Sequence, residues 1–103
     1  MSAVYILNES IHDYSKAAKY GRLVPVTHGR TPVFKTAVIM EVLEDALKNF
    51  QEDDHLLLSG PMLLNVMATA VIHPKVAVLK LVVFDAKRQE YTVRHIKGGK
   101  TNE

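Results

Sequence analysis

Residues 54–73 read DHLLLSGPMLLNVMATAVIH, and no other stretch constrains the fold as tightly. Leu56-Leu57-Leu58 is a short apolar run without alternation. Such a run suits a strand covered on both faces, in the middle of a parallel sheet. Ser59 offers a helix cap, Gly60 relaxes the backbone, and Pro61 fits the first helical position, where a missing N–H costs nothing. The helix that follows is apolar nearly all round, broken only by Asn65, Thr69 and His73 at i, i+4 and i+8. A buried strand, a tight turn and an apolar helix therefore mark the core.

At 103 residues the chain is expected to form one domain, α/β over 1–97 with a disordered tail over 98–103. It has no cysteine, which excludes disulfides, thiolate metal sites and cysteine nucleophiles. The longest apolar stretch is too short to span a bilayer and the start lacks a basic, apolar leader. A cytoplasmic protein is expected, with no membrane partner. Net charge is only +2, but the charges fall in blocks. Tyr14 to Met40 holds five bases and no acid, Glu41 to Asp54 six acids against Lys48, and Lys87 to Lys100 five bases against Glu90. Such blocks form solvated faces, anion-binding surfaces or complementary patches in an oligomer.

Taken in order, Ala3 to Leu7 reads as a buried strand. Asp13 can cap a short helix, Tyr14 to Tyr20, which Gly21 ends. Arg22 to Thr27 is a second strand, and Pro25 places it at a sheet edge because proline has no ladder donor. A helix follows from Val33 or Thr36 to Phe50, with Val38, Ile39, Val42, Leu43, Ala46, Leu47 and Phe50 as its apolar stripe. After the stretch of the opening, Val76 to Phe84 is a branched, buried-type strand. Asp85 to Gln89 makes a hairpin, and Glu90 to Ile96 pairs back antiparallel. The order βαβαβαββ predicts a three-layer, mostly parallel five-stranded sheet, 2-1-3-4-5 with strand 5 antiparallel, a minimal flavodoxin-like α/β fold. A ferredoxin-like α+β fold is the alternative, though it leaves one helix and one strand over.

No catalytic signature is present: no phosphate loop, HExxH or GxSxG, and the histidines His12, His28, His55, His73 and His95 are scattered. No metal, cofactor or catalytic residue is expected. Topology supplies a location instead, since open parallel sheets bind ligands beyond the carboxyl ends of the strands, where strand order reverses. The candidate ligand or anion site is therefore Asn8, Glu9, Ser10, Thr27, His28, Arg30, Ser59 and Gly60. Ser59-Gly60 at a helix start would offer N–H groups, and Arg30 and His28 side-chain donors. Tyr14, Tyr20 and Phe34 interleave with Lys16, Lys19, Arg22, Arg30 and Lys35, a pattern that also suits single-stranded nucleic acid.

Three segments, DYSKAAKYGRLVPVTHGRTPVF, DHLLLSGPMLLNVMATAVI and VVFDAKRQEYTVRHI, together resemble small uncharacterised α/β proteins encoded by bacteriophages and mobile elements. The resemblance implies no activity and carries over no functional residue. The functional expectation is a non-enzymatic, homo-oligomeric binding or assembly protein, joined through the apolar third helix, with Met67 towards the partner, or through the edge strand 90–96. The alternative is a nucleotide- or nucleic-acid-phosphate-binding protein using the site above. In its extreme form that is a nucleotide-acting enzyme with Glu9 or His28 as acid–base.

Overall fold

In the computed structural model, which describes residues 2–29 and 35–101, five strands form one sheet in the order 2-1-3-4-5. They are β1 (Ala3–Glu9), β2 (Arg22–His28), β3 (His55–Leu57), β4 (Val78–Asp85) and β5 (Glu90–Lys97). The first four run parallel, and β5 returns antiparallel to β4, with Val78 opposite Lys97 and Asp85 opposite Glu90. The expected α/β architecture and strand order are those observed. Pro25 lies opposite Ile6 on β2, at the edge beside β1, where a missing ladder donor is tolerated.

Alternation along each central strand builds two cores. Leu7, Leu56, Leu79 and Leu81 face one side, where α1 (Thr36–Ala46) and α2 (Met62–Ile72) pack through Ile39, Leu43, Leu64, Ala68 and Ile72. Val4, Ile6, Leu57 and Val82 face the other side, covered by a 3-10 helix, Ser15–Tyr20, through Ala17, with Tyr14 beside it. Each fully buried leucine contributes roughly 1.5–3 kcal/mol, so this double layer is the main source of stability. The first crossover was expected as an α-helix and forms a 3-10 helix instead. With so few residues between β1 and β2, a tighter turn spans the gap where an α-helix would be hard to nucleate.

Three ties fix the elements to one another. Asp54 is buried, and its two carboxylate oxygens accept the N–H groups of Ala3 and Gln51, both at 2.8 Å. Glu52 accepts the N–H groups of Ala77 and Val78 at 2.8 and 2.9 Å. Lys75 Nζ donates to the carbonyls of Leu47 and Lys48 at the end of α1. α1 closes at Ala46, earlier than the expected Phe50, although Leu47 and Phe50 remain buried in the same core.

The stretch expected as a tail from residue 98 on begins with three anchored residues. The N–H groups of Gly98, Gly99 and Lys100 donate to the carbonyls of Ala77, His73 and Val76. Gly98 is buried, and a Cβ there would collide with the Val76 carbonyl, so glycine permits the approach. Asn102 and Glu103 lie outside the described residues.

Candidate functional site

The carboxyl ends of β1, β2 and β3 meet in a closed polar knot. Asn8 is buried at the end of β1. Its N–H donates to Ser59 Oγ at 2.9 Å, and that hydroxyl donates back to the Asn8 carbonyl at 3.1 Å. Thr27 Oγ1 lies 2.7 Å from Asn8 Oδ1 and 2.8 Å from the Leu7 carbonyl. Asn8 Nδ2 donates to the Gly29 carbonyl at 2.9 Å. The Tyr14 hydroxyl donates to the Asn8 carbonyl and accepts from the Ser10 N–H. Gly60, at φ 80°, sits so close that an added Cβ would fall 2.7 Å from Asn8 Cβ. Only glycine satisfies both that backbone and that approach.

Among the described residues no side chain caps the start of α2, but Asn65 ties the turn before it. Asn65 Oδ1 accepts the Ser59 N–H at 3.0 Å, while Asn65 Nδ2 donates to the carbonyls of Pro61 at 2.8 Å and Ser59 at 3.2 Å. Asn65, one of the three polar positions along α2, thus turns back onto the turn 59–61, and the capping expected of Ser59 is not made. Thr69 hydroxyl donates to the Asn65 carbonyl.

Of the expected site residues, Asn8, Ser10, Thr27, Ser59 and Gly60 therefore come together, but they bond mainly to one another. Glu9 and His28 stand apart at the strand ends. His28 Nδ1 lies 3.1 Å from Glu9 Oε1, and both side chains are solvent-exposed. Arg30 and Phe34 lie outside the described residues. Tyr14 is buried, and Tyr20 stacks on His55 with ring centroids 5.7 Å apart, so both rings are committed to packing.

Beside the knot, on the side of the 3-10 helix, opens a cleft of about 480 Å³. Ser59 and Gly60 form one wall. His12, Asp13 and Lys16 come from the β1 crossover, and Phe84, Gln89 and Tyr91 from the β4–β5 hairpin. Lys16 Nζ donates to the Gln89 carbonyl at 2.9 Å and bridges the two sides. Phe84 is 46% exposed and packs edge-on against buried Tyr91 at 5.2 Å. The Ser15 N–H, donating to Asp13 Oδ1 at 2.9 Å, holds the Asp13 carboxyl below the usual range, so it is a carboxylate at neutral pH. Burial raises the Tyr91 phenol, followed by the charges of Tyr14 and Asp13, so it stays neutral.

The cleft lies beside the expected switch point, over the carboxyl ends of β3 and β4, and of its lining the sequence reading named only Ser59 and Gly60 as site residues. One signal was available. β4 runs parallel to β3, so its carboxyl end, and with it the hairpin 85–90, must lie at the same end of the sheet as the expected site.

Residues 2–97 match the phage Pam3 gp32-like protein family. The chain belongs to that family. The match spans all five strands and both layers of the core, and the resemblance to phage-encoded proteins is borne out. Comparison with the curated proteins and with the solved structures gave no match. Among the described residues, no helix is long and apolar enough to cross a membrane, and no three His, Asp or Glu side chains group to hold a metal ion.

Proposed function

We propose that this family member is a non-enzymatic binding or assembly protein that works as a homo-oligomer. The outer face of α2 carries the reading. Met62 is 83% exposed, Val66 58% and Leu63 44%, on a helix with no charged residue in it. An uncharged apolar face meets its own copy across a two-fold axis without opposing like charges, as an isologous interface requires. The polar groups at the switch point support the non-enzymatic part, since Asn8, Thr27 and Ser59 are tied to one another. Met67, expected to face the partner, is only 7% exposed and packs in the core, so Met62 and Val66 are the residues to change. Light scattering at micromolar concentration should give a mass above one chain. Met62→Lys with Val66→Lys should lower that mass while leaving the circular dichroism unchanged. A wild-type monomer would overturn the reading.

The cleft favours a second reading, a small ligand of nucleotide type. Phe84 offers an exposed ring for stacking, and Lys16, from the crossover between β1 and β2, a cation. A thermal-shift screen against nucleotides and short oligonucleotides tests it. A ligand at a hundred times its dissociation constant stabilises by about 2.7 kcal/mol, and Phe84→Ala should abolish the shift. No shift with any nucleotide would exclude this reading.

A further inference from the structure

β5 is the open edge of the sheet opposite the proline-guarded β2. The direction of its free backbone groups follows from bonds on its neighbours. The Leu58 N–H donates to the Val82 carbonyl, so Val82 turns its main chain towards β3. Successive residues of a strand turn theirs to opposite edges, so Val83 faces β5, where Thr92 Oγ1 reaches its carbonyl. Val83 pairs with Thr92, so Thr92 points its main chain inward, and Tyr91, Val93 and His95 point theirs outward. The Tyr20 hydroxyl meets the Tyr91 carbonyl, which retains a second lone pair.

Side-chain alternation then limits how two such edges can pair. Tyr91 and Val93 lie on the 3-10 helix side, so Thr92, Arg94 and Ile96 lie on the side of α1 and α2. A two-fold axis normal to the sheet keeps faces matched and places one residue opposite its own copy. Centring on Arg94 would set guanidinium against guanidinium, a destabilising like-charge pair. Centring on Thr92 would leave His95, Ile96 and Lys97 unpaired, with Ile96 48% exposed. Centring on Val93 aligns the whole of residues 90–96. Val93 meets Val93, Tyr91 meets His95, Thr92 meets Arg94, and Glu90 lies diagonal to Arg94 of the copy.

We infer that two copies of the chain join edge to edge through β5, with Val93 on the two-fold axis, fusing their sheets into one. This rests on the homo-oligomer reading and adds a surface distinct from the outer face of α2. In this register Val93 exchanges both backbone hydrogen bonds with its copy, at a Cα separation of about 5.5 Å. That spacing lies within disulfide range, and the cysteine-free chain makes a single cysteine a clean reporter.

The test compares Val93→Cys, Thr92→Cys and Arg94→Cys in the full chain under mild oxidation, each checked for folding by circular dichroism. Val93→Cys should run mainly as a covalent dimer on a non-reducing gel, the other two as monomer. The same dimer should form when Met62→Lys and Val66→Lys are added. Cross-linking at Arg94→Cys or Thr92→Cys in place of Val93→Cys would overturn the register. Oligomeric protein without cross-linking at any of the three would overturn the β5 interface and leave assembly through α2 standing. A monomer that cross-links nowhere would overturn both.

Discussion

Replacing Asn65 by alanine unties the turn before α2, and its cost can be worked out from the bonds to Ser59 and Pro61. The Ser59 N–H loses its acceptor, Asn65 Oδ1, in a part-buried position. An unsatisfied buried donor costs about 1–3 kcal/mol. The Pro61 carbonyl loses its donor but is exposed, so water takes over at little cost. Alanine returns about 0.5 kcal/mol through its higher helix propensity. The net loss should be about 1–2 kcal/mol. Urea unfolding followed by circular dichroism reads this directly: with a slope of about 1–2 kcal/mol/M, the midpoint should fall by about 1 M. Asn65→Asp is the discriminating companion. It keeps the acceptor for Ser59 but sets a carboxylate oxygen against the carbonyls of Ser59 and Pro61, so it should not restore wild-type stability. If Asn65→Ala unfolds at the wild-type midpoint, the Ser59 N–H does not depend on Asn65, and the account of a closed switch point fails.

Asp54→Ala strands the N–H groups of Ala3 and Gln51 and should destabilise by about 2–4 kcal/mol in the same assay; a loss under about 1 kcal/mol would show that solvent replaces the carboxylate. Gly60→Ala places a Cβ against Asn8 in a left-handed backbone and should lower the thermal midpoint by several degrees; an unchanged midpoint would mean that the turn can shift without disturbing Asn8. Acid should destabilise the fold in two steps. Burial, then Lys80 and His95, depress His55, so its folded pKa lies below its unfolded value and stability falls as pH drops through about 6.5. The backbone bonds from Ala77 and Val78 depress Glu52, and its contribution, present above about 4.5, is lost as pH falls further. His55→Phe removes the first step and a buried Nδ1 that has no hydrogen-bond partner among the described residues; midpoint against pH should then stay level between pH 7 and 5.5, and a persisting slope there would assign the step elsewhere.

The strand order was legible because single residues decide it. Pro25 can sit only at an edge, and Leu56-Leu57 only under cover on both faces, so the two between them order the parallel strands. The outward face of α2 was not legible for the opposite reason. A helix apolar all round has no period to read, so Met67 was indistinguishable from Met62 or Val66 until the sheet and α1 covered one side. Ser59 was read as a cap from local chemistry, but tertiary pairing with Asn8 takes its hydroxyl, Asn65 takes its N–H, and no side chain among the described residues caps α2. The cleft gathers His12 and Lys16 with Phe84 and Gln89, segments far apart in sequence. Their meeting depends on where the first crossover lies over the sheet, which no local pattern encodes.

The anchoring of Gly98 to Lys100 has a practical consequence for handling the protein. β1 begins, and β5 ends, at the amino ends of the parallel strands, with Ala3 beside Arg22 and Lys97 opposite Val78. The bonds from residues 98–100 to the loop 73–77 hold the chain at that same pole until Lys100. The cleft opens at the other pole. A bead, a dye or a fused partner attached at either end of this sequence would thus leave the cleft turned towards solution. The β5 edge runs from one pole to the other, so a bulky fusion after Lys100 would crowd the region of Ile96 first. Amino-terminal attachment beside β1, three strands inward from β5, is therefore the arrangement to use when self-association is measured.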